Sequence, residues 1–155
     1  MRNNNKKWKL TKYGNLKVHV KRGVTKKEYL MHSQLYELSK VHECLNVPKI
    51  INYNERTKTM KTVCVGKCNV SDFYGEENQN VPTRIFDKVR EVIQLLYDCG
   101  IVYPDITGYN FIETPGKQNK IWIFDFEHAE YLPKTPNWFV EDFLEGYNSW
   151  NPDFK

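Results

Sequence analysis

The chain has 155 residues, a formal net charge of +4 and a pI near 8.8. With 10 Tyr, 8 Phe and 4 Trp it is too apolar for a disordered segment, and its length suffices to bury about two-thirds of the unfolded surface. No apolar run reaches the roughly 18 residues of a membrane span, and the polar start lacks a signal-peptide core, so the expected setting is intracellular, cytoplasm or nucleus, without a membrane partner.

Residues 1 to 7 read as a loose polar tail. Residues 8 to 13 and 16 to 22 alternate as two strands around a Tyr13-Gly14-Asn15 turn, with Leu16, Val18 and Val20 on one face and Lys17, His19 and Lys21 on the other. Thr25-Lys26-Lys27-Glu28 opens a helix as a capping box, and the pattern carries that helix to about residue 43, with Glu28, Met31, Leu35 and Leu38 on one face. Lys49 to Asn54 and Met60 to Val65 form a strand pair about the polar turn at Glu55 to Lys58. Residues 66 to 82, rich in Gly, Asn and Pro, read as a linker. Thr83 is expected to cap the next helix, whose buried stripe is Ile85, Phe86, Val89, Val92, Ile93, Leu95 and Leu96, with Gly100 suited to its end. A loop at 103 to 112, a Pro115-Gly116 turn and a strand at 120 to 125 follow. A last helix over 137 to 147 has Thr135-Pro136 as its lead-in. The class is α+β: a first lobe of strands and one helix, approximately 8 to 70, then a reduced, mainly helical lobe, 71 to 155, in one domain.

Four cysteines in an intracellular chain are expected as thiols, and Cys64 and Cys68 have no nearby His partner for a zinc site. Ten Lys and Arg precede residue 30 against one carboxylate, Glu28. Such a basic lobe suits phosphates, nucleic acid or acidic proteins, and suits a merely solvated surface equally well.

The chemistry lies between residues 103 and 126. Asp105 and Asn110 stand five apart directly after the strongest helix, and Asp125 closes the apolar run Ile121-Trp122-Ile123-Phe124. A carboxylate to take or orient a hydroxyl proton, with two further oxygen donors for magnesium, is what phosphoryl transfer requires. Taken singly, each residue also fits an ordinary turn or strand end.

Together these residues resemble the protein-kinase-like superfamily. Asp105-x-x-x-x-Asn110 is similar to its catalytic loop, and Ile123-Phe124-Asp125-Phe126 to its metal-binding strand end. Asp105-Ile106-Thr107-Gly108-Tyr109-Asn110 most resembles RIO-type and related small atypical kinases, whereas Asp125-Phe126-Glu127 resembles choline kinases and aminoglycoside phosphotransferases. The resemblance implies a minimal bilobal kinase-like fold using ATP and Mg, with Asp105 as the catalytic base and Asn110 and Asp125 as metal ligands. Val18-His19-Val20-Lys21 is similar to the strand that presents the phosphate-binding lysine, which makes Lys21 either that group or one lysine among many on a basic strand. Glu28 is then its helix partner or the second half of the capping box, with Glu37 as the fallback. The resemblance places adenine against backbone near Val63 to Val70, where Val63, Val65 and Phe111 line a pocket or pack a core. His32, His42 and His128 show no ligand spacing and read as structural or surface residues.

The chain departs from the family where the glycine-rich loop should be, with Tyr103-Pro104 before Asp105, and with Glu127 after Phe126. Only 28 residues follow Glu127, too few for the usual peptide-docking helices. The leading expectation is a minimal Ser/Thr protein kinase, of the compressed kind that virus-encoded forms resemble. The alternatives are a catalytically weak pseudokinase that binds a partner kinase, a small-molecule phosphotransferase, and an RNA-binding protein.

Overall fold

The computed structural model describes residues 8–10 and 17–154, so the expected tail, the Tyr13-Gly14-Asn15 turn and the side of Leu16 lie outside it. Strand β1 is Trp8–Leu10 and β2 is Lys17–Arg22. Helix α1, Lys26–Ser39, starts where the capping box puts it: Thr25 accepts the Glu28 amide at 3.2 Å. It stops four residues short of the expected end, because the chain turns at Lys40 and the amides of Val41 and His42 both reach back to the Leu38 carbonyl. Strands β3, Ile50–Asn54, and β4, Thr59–Val63, complete an antiparallel sheet in the order β1-β2-β4-β3. The register places Val18 opposite Val63 and Lys21 opposite Met60.

The stretch read as a linker holds structure. Asn69 caps a short helix α2, Val70–Tyr74, by accepting the Asp72 amide at 2.8 Å, and Asn78–Asn80 forms one 3-10 turn. Five helical residues are too few to show a hydrophobic period, which is why the segment read as loop. Helix α3, Thr83–Asp98, begins one residue earlier than expected: Pro82 holds the cap position and Thr83 is the first helical residue, so no side chain caps it. Its stripe is as predicted, with Ile85, Phe86, Val89, Val92, Ile93 and Leu96 buried and Leu95 partly so. Gly100, at φ +80°, turns the chain beyond the helix end.

Two short pairings follow. Strand β5, Ile101–Val102, pairs with β8, Glu130–Tyr131, and the hairpin β6, Phe111–Thr114, with β7, Lys120–Ile123. Helix α4, Trp138–Leu144, is shorter than the expected span, and Asn137 rather than Thr135-Pro136 starts it, accepting the amides of Phe139 and Val140. Phe139, Val140 and Phe143 face inward, while Tyr147 is exposed.

The two halves share one core. After α1, Leu45 and Val47 join Met31 and Leu35 in the cluster built on α3, and Asn46 bonds across to β7 through its side chain and carbonyl. Trp150, from beyond α4, packs between Phe86 at 4.6 Å and Phe111 at 6.4 Å. No helix among the described residues is long and apolar enough to cross a membrane. Leu96 is fully buried at the centre of this cluster. Leu96→Ala is therefore expected to lower the unfolding free energy by about 2–5 kcal/mol, read as a lower urea midpoint at unchanged slope.

Candidate active site

Lys21 lies at the centre of the site. The strand β2 carries its ammonium to Glu28 Oε2 of α1 at 2.6 Å and to Asp125 Oδ1, just past β7, at 2.8 Å. The Glu28 side chain is 2% exposed, so the carboxylate is spent on this ion pair rather than on closing the capping box; Glu37 sits on the surface against Lys40. Burial works against the charge on Lys21, but the attraction of Asp125 and Glu28 together outweighs it and holds the ammonium above its ordinary pKa. The Glu28 carboxyl is also pushed up, by burial, with Lys21 pulling it back. The shift on Lys21 governs the pair: with two carboxylates against one ammonium, the cation persists through the physiological range.

Asp125 stands two residues beyond β7 at φ +67°, a conformation an Asp tolerates better than most residues. Its neighbours hold it there. Tyr103 Oη donates to the Phe124 carbonyl at 2.7 Å. Phe126 meets Tyr103 edge-on at 5.9 Å and His32 of α1 edge-on at 5.1 Å. Tyr103, Phe126 and His32 thus form a buried aromatic column that runs from the loop after β5 to the helix carrying Glu28.

The loop at 103–110 folds onto the same hairpin. The Phe124 amide donates to the Asn110 carbonyl, and Asn110 Nδ2 donates to the Asp105 carbonyl at 2.9 Å. An amide whose nitrogen is so used directs its Oδ1 away from that bond. Asp105 is 4% exposed. Gly108 presses on α2: a Cβ there would collide with Ser71 Oγ, so no larger residue fits without moving the loop. Thus Lys21, Glu28 and Asp125 meet directly, while Asn110 joins Asp105 by a hydrogen bond and Asp125 through the adjoining Phe124.

The adenine-side residues are placed separately. Val63 ends β4 with its N–H on the Lys49 carbonyl, and Val65 follows it into the loop. Gly66 lies so close to β6 that a Cβ would stand 2.7 Å from Ile112 Cγ2. This brings the segment after β4 against the residue two beyond Asn110. Phe111, expected as a possible lining residue, points the other way: it is fully buried between Tyr103 and Trp150, and Ile112 takes the neighbouring place. Sequence reasoning missed the packing role of Tyr103, whose signal was its position two residues before Asp105; His32 is structural, one of the two readings its sequence allowed, and lies four residues after Glu28 on the same helix face.

The donors fit a magnesium nucleotide. No group of three His, Cys, Asp or Glu among the described residues could hold a metal alone. Magnesium needs none, since it accepts one or two protein oxygens and completes its shell with water and phosphate. Cys44, Cys64, Cys68 and Cys99 are free thiols.

A β-sheet with one helix, a lysine–glutamate pair and an Asp-Phe turn facing a helical half define the protein-kinase-like fold. The profile of the RIO domain, an atypical protein kinase family, matches residues 2–140, and the chain belongs to that family. Among solved structures it is similar to the kinase PK-1 of the Cydia pomonella granulovirus, with a TM-score of 0.61 at 15% identity. The match covers 85% of this chain and 50% of that one, so the chain spans half the length of the viral kinase. No curated protein matches it.

The column makes stability depend on pH. His32 Nε2 lies 2.7 Å from the Pro48 carbonyl, which can only accept, so the proton sits on Nε2. Burial, aided by the charge of Lys21 and opposed by the Pro48 bond, pulls the His32 pKa from 6.5 down to about 4. Below pH 6.5 the unfolded chain takes up a proton that the native state refuses. Stability contributed by this site is complete above about pH 6.5 and is lost as pH falls towards 4, by on the order of 3 kcal/mol. Urea unfolding from pH 7.5 to 4 is expected to show this slope, and His32→Gln is expected to flatten it.

Proposed function

We propose that the protein is a phosphotransferase that uses ATP and magnesium to phosphorylate a Ser or Thr hydroxyl of a protein. The observation that carries this reading is the three-way contact of Lys21 with Glu28 and Asp125, which joins the sheet, α1 and the end of β7 at one cation. In it Lys21 meets the α- and β-phosphates, held in place by Glu28. Asn110 and Asp125 would hold magnesium, which would supply charge neutralisation at the phosphates. Backbone around Val63 and Val65 would meet adenine. Asp105 orients the acceptor hydroxyl and takes its proton. Little covalent work is asked of the protein in this chemistry, so positioning and charge neutralisation on a small scaffold suffice. The working unit is one domain with its lobe boundary near residues 66 to 75.

A second reading, a weak or inactive kinase-like protein that binds a partner kinase, draws support from apolar side chains left outside the core. Tyr97, Tyr131, Leu132 and Trp138 are exposed on the α3, β8 and α4 side.

Transfer from γ-labelled ATP separates the readings. Asp105→Ala and Asp125→Asn are each expected to lower it by about 10³-fold, Asp105→Ala leaving magnesium-nucleotide binding intact and Asp125→Asn weakening it in calorimetry. Transfer that survived both substitutions would remove the assignment. Binding without transfer in the unaltered protein would favour the second reading.

A further inference from the structure

The residues around Asp105 present three successive carbonyls, and each finds an amide. Asn110 Nδ2 takes the carbonyl of Asp105 at 2.9 Å. The other two are taken by one residue 46 positions beyond Asp105: Asn151 Nδ2 donates to the Pro104 carbonyl at 2.7 Å, and the Asn151 backbone amide to the Ile106 carbonyl at 2.8 Å. Asp105 thus sits between two peptide groups gripped from the same side chain and backbone. Within the loop, the Ile106 and Thr107 amides are folded back onto the carbonyls of residues 104 and 105, so the turn is tight; Asn151 adds a second donor to the Pro104 carbonyl and supplies the one to the Ile106 carbonyl from outside the loop.

Asn151 is equipped for this and held for it. It is 1% exposed, and its Oδ1 accepts the Asp153 amide at 3.0 Å, which fixes which end of the side-chain amide faces Pro104. Trp150 seats the segment between Phe86 and Phe111. Asn78 ties it from the far side, accepting the Trp150 amide at 3.1 Å and donating to Ser149 Oγ at 3.0 Å. The Asn amide offers a donor and an acceptor from one planar group, and Gln is a methylene too long for these distances.

We propose that Asn151 is a positioning residue for phosphoryl transfer: it clamps the backbone on both sides of Asp105 and so sets where the catalytic carboxylate points. This rests on the phosphotransferase reading for Asp105. The segment 148–154 is then part of the working site although none of it need touch nucleotide or acceptor.

The test compares Asn151→Asp with Asn78→Ala. Asn151→Asp keeps size and the bond to Asp153 but sets a carboxylate oxygen against the Pro104 carbonyl. With γ-labelled ATP and casein as acceptor, it is expected to lower kcat by about 100-fold while KM for MgATP stays within about twofold. Asn78→Ala loosens the same segment without touching residues 104–106, and is expected to lower the melting temperature with kcat near that of the unaltered protein. An equal loss of kcat in Asn78→Ala would overturn the proposal, since general loosening would then account for both. Hydrogen exchange supplies a readout that needs no activity. In Asn151→Asp the amides of Ile106 and Thr107 are expected to exchange about tenfold or more faster, with α3 unchanged. Unchanged exchange there would overturn the proposal. If the unaltered protein transfers no phosphate, the phosphotransferase reading fails by itself, and this exchange result alone decides whether Asn151 holds the loop. If Asn151→Asp does not fold, native-state exchange of the unaltered protein decides: a common opening of the amides at 106, 107 and 151 upholds the clamp, and independent opening overturns it.

Discussion

One ammonium group, that of Lys21, joins parts of the chain that are 7 and 104 residues away from it, through Glu28 and Asp125. Removing such charges from water costs several kcal/mol per ion, and their attraction recovers that cost only when the geometry is good. The arrangement is therefore weak as a source of stability and strong as a constraint on position. Glu28 is buried in a helix face that would otherwise be apolar, and it remains satisfied only while β2 and α1 keep their spacing. Asp125, in turn, reaches Lys21 from beyond β7, in the other half of the chain. The ion triad accordingly reports, and enforces, one relative placement of sheet, helix and hairpin.

The rest of the site is built to hold Asp125 and Asp105 against that constraint. A positive φ at a residue with a Cβ costs on the order of 1 kcal/mol, and the structure keeps it at Asp125 by fixing both neighbours: Phe124 through the Tyr103 hydroxyl and Phe126 by burial against Tyr103 and His32. His32 contributes a flat apolar edge to that column and a single N–H to Pro48, so a titratable group does the work of a spacer. Pro104 has a related economy. It has no N–H to satisfy, and its carbonyl is answered by Asn151 and the Ile106 amide.

The loop at 103–110 is supported from the segment after α4 and from α2. Here the support is local and aromatic. Trp150 bridges α3 and β6 through Phe86 and Phe111, and the short segment after α4 brings Asn151 under the loop. Residues 148–154, which end in a 3-10 turn at Pro152–Phe154, thereby give the 103–110 loop a floor. Gly108 completes the enclosure on the other side by allowing α2 to approach within contact of the loop backbone.

Much of this was written in local pattern. The 3.6-residue stripe of α3, the capping box at Thr25, the hairpin after Asn110, and the order Lys21, Glu28, Asp105, Asn110, Asp125 could all be read in line, because each depends on spacing along the chain. What could not be read depends on distance through space. The buried Glu28 could equally have closed its own cap, and only the approach of β2 directs it to Lys21. Phe111 and Ile112 alternate on one strand, and only the position of Trp150 decides which enters the core and which meets Gly66. The ends of α1 and α4 were set by backbone turns and by Asn137, not by where the apolar period faded. Asn151 carries no motif at all: its bonds exist because tertiary packing brings a late residue beneath the Pro104 and Ile106 carbonyls, and a contact of that kind leaves no trace in a linear pattern.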